Sequence, residues 1–409
     1  MILRRNTLYG AALLAAAALP VLAQEVLAPE VDAPAILRGA IARGVYGAVE
    51  AREVEGTVAL SINGQPVQSA TRVYLVEPGG SVELFAELRA EGARDAAPRI
   101  ETGGVYRQTS TTEVTWQSEP DDFLLAGSGG GVVWRPGTAR GRASNVTASV
   151  ARLSVDRSPS LAASPEAAAP SVLASGRASV LLLAGVAFDR NGDGLLESQS
   201  IGIYPNERDP KAPNTIRDNI TLYNPPATFY RIDEHSAKAA VTDRFTLGDL
   251  APAVFPEDAA RPSRFAAISP RLIRFLGAFE KKVAEAKLDP AKLRILRGFV
   301  SPTDRLRLER QGTRLAEYTR FQYGDAVALV YDTTARGDAP AVMGDTNADG
   351  QTTIADVEVL SAIAKQTMED LGIFGGIGTI AKYEGPGASK GTPYLHIDLR
   401  GWLTPFREE

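Results

Sequence analysis

Val58-Ala59-Leu60-Ser61-Ile62-Asn63-Gly64 sets the character of the first half of this chain. Apolar side chains fall on every second residue, the period of a strand with one face buried, and Asn-Gly then supplies the strongest two-residue hairpin signal. The same grammar repeats outward. Val73 to Val76, the turn Pro78-Gly79-Gly80 and Val82 to Leu88 read as strand, turn and strand. Val114-Thr115-Trp116, Val132-Val133-Trp134 and Val146 to Leu153 continue the series. From Ala51 to Val155, short strands at regular spacing with Gly- and Pro-rich turns predict an all-β, immunoglobulin-like sandwich. No constellation of catalytic residue types falls within it, so a spacer or binding module is expected there.

Before this region stands a segment with the features of an export signal. Arg4 and Arg5 form a basic start, Leu8 to Leu22 is apolar, and Val21-Leu22-Ala23 offers small residues for cleavage before Gln24. A twin-arginine signal is the other reading of Arg4-Arg5, although the residues after it match that pattern poorly. The apolar run is short for a membrane span, and no later stretch is long enough for one, so a periplasmic or secreted mature chain without a membrane span is expected. The chain has no cysteine, which excludes disulfides, thiolate metal sites and cysteine nucleophiles. A net charge of -5, spread along 409 residues without a basic run, gives no footprint for nucleic acid.

Ser158 to Ser175 is built mainly from Ser, Ala and Pro, and reads as a segment unable to bury enough apolar surface to offset its ordering entropy. The expected organisation is a signal peptide at 1–23, the sandwich at 24–155, a linker at 156–178 and a second domain at 179–409. In that second domain Val180 to Phe188 is a strand candidate. Pro270 to Lys287 sets Leu272, Ile273, Leu276, Phe279 and Val283 on one helical face. Leu293 to Leu296, Ala326 to Tyr331 and Tyr394 to Leu399 read as strands, and Asp356 to Leu371 as an amphipathic helix. This mixture predicts an α+β domain.

Within it, Asp345-Thr-Asn347-Ala-Asp349-Gly350-Gln351-Thr-Thr353-Ile354-Ala-Asp356 carries the spacing of an EF-hand calcium loop, with oxygen-bearing side chains at alternate residues and a glycine at the sharp turn. The aspartate at its last position resembles dockerin-type loops. Calcium held by Asp345, Asn347, Asp349, Gln351, Thr353 and Asp356 is therefore the expected cofactor. A second stretch, with Asp189, Asn191, Asp193 and Glu197, begins alike but has Ser200 at its twelfth position, so a plain turn and a weaker calcium site both stand as readings.

The residues from about Ile201 to Trp402 resemble the zinc D-Ala-D-Ala carboxypeptidase family, whose core is shared with the hedgehog signalling domain. The resemblance runs through Ile201-Gly-Ile-Tyr-Pro205, Tyr223-Asn-Pro-Pro226 and Phe245-Thr-Leu-Gly-Asp249. It continues with Leu293-Arg-Ile-Leu-Arg-Gly-Phe299 and Ser301-Pro302, where the family has a strand ending in Ser-Gly-Tyr/Phe-Arg-Ser/Thr-Pro. The family's metal motif, Ser-x-His-x-x-Gly-x-Ala-x-Asp, aligns with Thr319-Arg320-Phe321-Gln-Tyr-Gly324-Asp325-Ala326-Val327-Ala328. Its His-x-Asp-x-Arg-Gly strand aligns with His396-Ile-Asp398-Leu-Arg400-Gly401, after the Gly375-Gly376-Ile377-Gly378 turn. Phe321, Ala328 and His396 thus occupy the three zinc-ligand positions, and only His396 can donate a lone pair. A catalytic zinc site needs three protein ligands and an open position for water. Only two histidines exist; His235 lies far from the motif, and a substitute ligand at Asp332 would sit about 13 Å from the lost position along a strand.

The resemblance therefore implies a non-catalytic relative that binds peptidoglycan peptide or an envelope protein without zinc, with His396 as a hydrogen-bonded packing residue. The alternative is an active zinc-dependent murein DD- or LD-carboxypeptidase with unusual ligands. A module that only scaffolds is a third reading.

Overall fold

The computed structural model describes residues 51–67, 72–90, 100–101, 104–105, 107–119, 124–126, 130–136, 141, 143–157, 171–189, 192–204, 223–252, 255, 263–333, 340–385, 388–401 and 404–408. The expected signal peptide at 1–23 lies outside them. Strands dominate and helices are few. The chain divides into two compact units, one within Met1–Ala70, Gly79–Ala139 and Ser144–Leu182, the other within Thr71–Pro78, Arg140–Ala143 and Leu183–Glu409.

The first unit holds one five-stranded sheet and four strands of a second. In one, Thr57–Ile62 pairs antiparallel with Val82–Arg89, which pairs with Gly131–Arg135. Val82–Arg89 buries every second residue, and Val58, Leu60, Ile62, Leu84, Leu88 and Trp134 face the core. Asn63 and Gly64 both take positive φ, 48° and 76°, the backbone of the primed hairpin turn that this dipeptide favours. The other sheet runs Ala51–Glu55, Ser171–Ala184, Ala143–Arg157, Arg107–Glu119, with its first pair parallel.

That parallel pair corrects the expected linker at 156–178. Ala143–Arg157 runs through its first two residues, and Ser171–Ala184 takes its last eight, pairing in register from Ala51↔Ser171 to Glu55↔Ser175. Residues 158–170 lie outside the described set. The small side chains that made the segment read as unstructured are what let it pack: a Cβ on Gly176 would stand 2.3 Å from the Gly56 carbonyl oxygen. The domain boundary moves with it. Residues 71–78 fold with the C-terminal unit, where Val73 N–H donates to the Ala240 carbonyl at 2.8 Å and Arg72 pairs with Asp243 at 2.6 Å.

The second unit is organised on a five-stranded sheet in the order Leu293–Arg297, Ala326–Tyr331, Tyr394–Asp398, Gly376–Ile380, Thr404–Glu408. Ala326–Tyr331 is buried along its whole length, as expected of a central strand covered on both faces. Helix Pro270–Glu285, capped by Ser269 and begun by a proline, buries Leu272, Phe275, Leu276, Phe279 and Val283; Ile273 is only half-buried. It packs against helix Ile354–Leu371, which lies on Gly376–Ile380 and Tyr394–Asp398 and buries Val357, Leu360, Ala364 and Met368. A smaller sheet joins Val186–Ala187, Thr228–Asp233 and Ser263–Ala266.

Candidate functional site

Strand register brings the widely separated motif residues together. Arg297 pairs with Ala328, Ala328 with His396, and His396 with Gly378, so the four lie in one row across four strands. Residues directly opposed in antiparallel strands present their side chains on one face. Phe321 joins the row from outside the sheet. It lies in the short 3₁₀ turn Arg320–Tyr323, which ends at Gly324 with φ 71°. Only glycine fits there, because a Cβ would stand 2.3 Å from the Ala267 carbonyl oxygen. The Phe321 carbonyl accepts from Val300 N–H at 3.1 Å, and its ring meets the His396 ring edge-on, with centroids 5.0 Å apart.

The three positions singled out in the sequence therefore share one site, and it is apolar. Phe321 and Ala328 belong to a buried cluster with Phe255, Val300, Leu308 and Ala326. Phe321 is 3 % exposed, Ala328 is fully buried and His396 is 8 % exposed.

The polar side of the site is Asp398. Two residues beyond His396 on the same strand face, it is fully buried, with Oδ2 3.3 Å from His396 Nε2. Arg400 donates from Nε to Oδ1 at 2.6 Å, and Gly376 N–H to the same oxygen at 3.2 Å. Gly376, expected in a turn but found as the first residue of its strand, makes room for this carboxylate, since a Cβ there would lie 2.6 Å from Oδ2. Burial alone would raise the Asp398 pKa; the hydrogen bonds from His396 and Arg400 outweigh it and hold the carboxyl well below the usual range. Asp325, within residues 319–328, and Asp332, four positions after them, are engaged elsewhere. Arg320 binds Asp325 through two nitrogens, and Arg294 binds fully buried Asp332 at 2.7 Å. Burial pushes the Asp325 carboxyl up against the opposing effect of Arg320. His235 lies exposed in the short helix Glu234–Ala237. Arg297, which lies over the Phe321 and Tyr383 rings, stood inside the quoted segment Leu293–Phe299 without being singled out there, and Tyr383 lay outside any motif.

Among the described residues, no group of three or more His, Cys, Asp or Glu is placed to hold a metal ion. The site row offers one imidazole, a phenyl ring and a methyl group, which do not fit zinc. The 345–356 loop is a different case. Its donors are the hard oxygens that calcium takes, and Gly350 has φ 83° at the turn. Those oxygens serve the loop's own backbone: Asp345 accepts from Gly350 N–H at 2.8 Å and Asp349 N–H at 3.2 Å, and Asn347 accepts from Asp349 N–H at 3.0 Å. Fully buried Asp356 accepts from Thr346 and Thr353 N–H, both at 2.7 Å, and completes a capping box with Thr353 for the following helix. Gln351 is exposed and Thr353 is the N-cap.

The second loop closes as the hairpin Leu195–Leu196 with Gln199–Ser200. Asp193 accepts from Leu195 N–H at 3.0 Å, and Glu197, at φ 55°, is ion-paired with Arg231. Asn191 lies outside the described residues.

No family model and no curated protein matches the chain. Among solved structures, a chimeric titin Z1Z2 functionalized with a KLER exogenous peptide from decorin is similar at 10% identity, over 31% of this chain and 94% of that one, with a TM-score of 0.15. No helix among the described residues is long and apolar enough to cross a membrane.

Proposed function

We propose that the chain is an exported, non-catalytic relative of the zinc D-Ala-D-Ala carboxypeptidases, in which the former metal site binds a cell-wall peptide or an envelope partner. The observation that carries this reading is the shared fate of three motif positions. Val300, Phe321 and Ala328 stand where the family patterns have Arg, His and Asp, and all three are packed into one apolar cluster beside His396. Hydrolysis at neutral pH through such a site requires a metal-activated water. Here an aromatic ring fills the volume where that water would be generated, and neither Phe nor Ala offers a lone pair. The concerted replacement of polar by well-packed apolar groups is what a binding site freed from chemistry tolerates. On this reading the first unit is an immunoglobulin-like spacer. Its sheet order 107–119, 143–157, 171–184 follows an immunoglobulin C-F-G sheet, whereas the meander 57–62, 82–89, 131–135 departs from the B-E-D order.

The test uses the protein recovered from the periplasmic or secreted fraction, with its N-terminus at or near Gln24. It is expected to contain no stoichiometric zinc and to release no D-Ala from peptides ending in D-Ala-D-Ala. Phe321→His combined with Ala328→Asp is expected to gain zinc affinity alongside His396. Zinc-dependent D-Ala release by the unmodified protein sinks the proposal.

A further inference from the structure

Four arginines on or beside the main sheet, Arg294, Arg297, Arg320 and Arg400, differ in one respect. Arg294 has Asp332, Arg320 has Asp325 and Arg400 has Asp398. Arg297 is joined to no carboxylate among the described residues, although it is 8 % exposed. Its Cζ lies 5.5 Å from the centre of the Phe321 ring and 4.9 Å from that of Tyr383, and Nη2 donates to the Glu384 carbonyl at 3.2 Å. A guanidinium carries five N–H donors in a planar fork and stays charged at any pH a protein survives. Two aromatic rings, a side-chain hydrogen bond with Tyr383 and one carbonyl satisfy it only in part, and a buried cation without a counter-charge favours capture of an anion.

The place where the group reaches the surface is also defined. A Cβ on Gly385 would lie 2.5 Å from Arg297 Nη2 and 2.9 Å from Tyr383 Oη, so the guanidinium passes directly beneath this glycine. Gly385 is half-buried and Glu384 is exposed. The aromatic neighbours favour a flat oxyanion bound at the guanidinium edge, the geometry of a bidentate arginine–carboxylate fork.

We propose that Arg297 anchors a carboxylate-binding site, with Phe321 and Tyr383 as its walls, and that it receives the carboxylate of the ligand bound by this face. The inference rests on the reading of the 321–328–396 site as a binding site. The test measures calorimetric binding of N-acetyl-D-Ala-D-Ala, of its C-terminal amide and of inorganic phosphate to the mature protein. The acid is expected to bind, with the amide weaker by about tenfold or more, as for loss of a charged hydrogen bond. Arg297→Met and Arg297→Lys are expected to lose the preference for acid, Lys because it cannot reproduce the fork. Equal affinity for acid and amide, no binding of the acid at millimolar concentration, tighter binding of phosphate, or an unchanged preference in a folded Arg297 variant each overturns the proposal. The comparison of acid with amide needs no variant, so it decides the matter even if Arg297 substitutions unfold the chain. D-Ala release would sink the pseudoenzyme reading and leave this preference standing; equal affinity would do the reverse.

Discussion

Asp398 shows how one buried carboxylate organises the end of a strand. It receives His396, the Arg400 fork and the Gly376 N–H, so its charged form is stabilised in the folded state and its pKa is depressed. A depressed folded pKa contributes stability above the unfolded value of about 4, and that contribution is lost as pH falls through the acid range below it. Asp398→Asn is expected to cost about 3 kcal/mol at pH 7, because Arg400 loses its counter-charge. The gap between parent and variant should narrow by pH 3. Urea unfolding at the two pH values measures this, and a pH-independent gap would show that the ionised carboxylate is not what stabilises the strand end. Phe321 makes the complementary point: a residue in a short turn outside the sheet is buried in one apolar cluster with Ala328 of the sheet.

At the scale of elements, the 345–356 loop joins two functions in one stretch. Asp356 caps helix Ile354–Leu371 whether or not an ion is present, whereas Asp345 and Asp349 turn their oxygens to N–H groups of an exposed turn. Carboxylate oxygens that accept one N–H retain lone pairs, so calcium can be taken up without breaking the cap. Calcium is therefore expected to raise the melting temperature, by the equivalent of about 2.7 kcal/mol at a hundredfold excess over its dissociation constant. Asp345→Ala with Asp349→Ala should abolish the shift, while melting curves that coincide in calcium and chelator would make the loop a turn and nothing more. The helix expected from Asp356 begins two residues earlier, at Ile354, because Thr353 caps it, and the helix expected to reach Lys287 ends at Glu285.

At the scale of the whole molecule, the two units each carry their own core. Leu84, 1 % exposed, and fully buried Trp134 lie in the first. Leu84→Ala is expected to cost about 2–5 kcal/mol. The transition reported by tryptophan emission should fall by roughly 2–4 °C for each kcal/mol, since two of the chain's three tryptophans, Trp116 and Trp134, lie in that unit. Zinc uptake by Phe321→His with Ala328→Asp, which engages the other unit, serves as the control. A Leu84→Ala protein that melts as the parent does would mean that Leu84 is not part of the cooperative core.

The alternation around Val58–Ile62, the Asn63-Gly64 turn, the existence of the two long helices, the strand Ala326–Tyr331 and, to within one residue, the strand from Tyr394 were determined by the sequence alone. Each depends on residues within one or two turns of chain. Composition misjudged residues 171–178, because the strand there is made by pairing with Ala51–Glu55, more than a hundred positions away. The site divides in the same way. His396, Phe321 and Ala328 could be named from motif spacing, but only the sheet register sets Arg297 in their row, and only the packing of Phe321 and Tyr383 leaves that guanidinium without an acid of its own among the described residues. A side chain's partner is chosen by tertiary neighbours, and no local pattern records that choice.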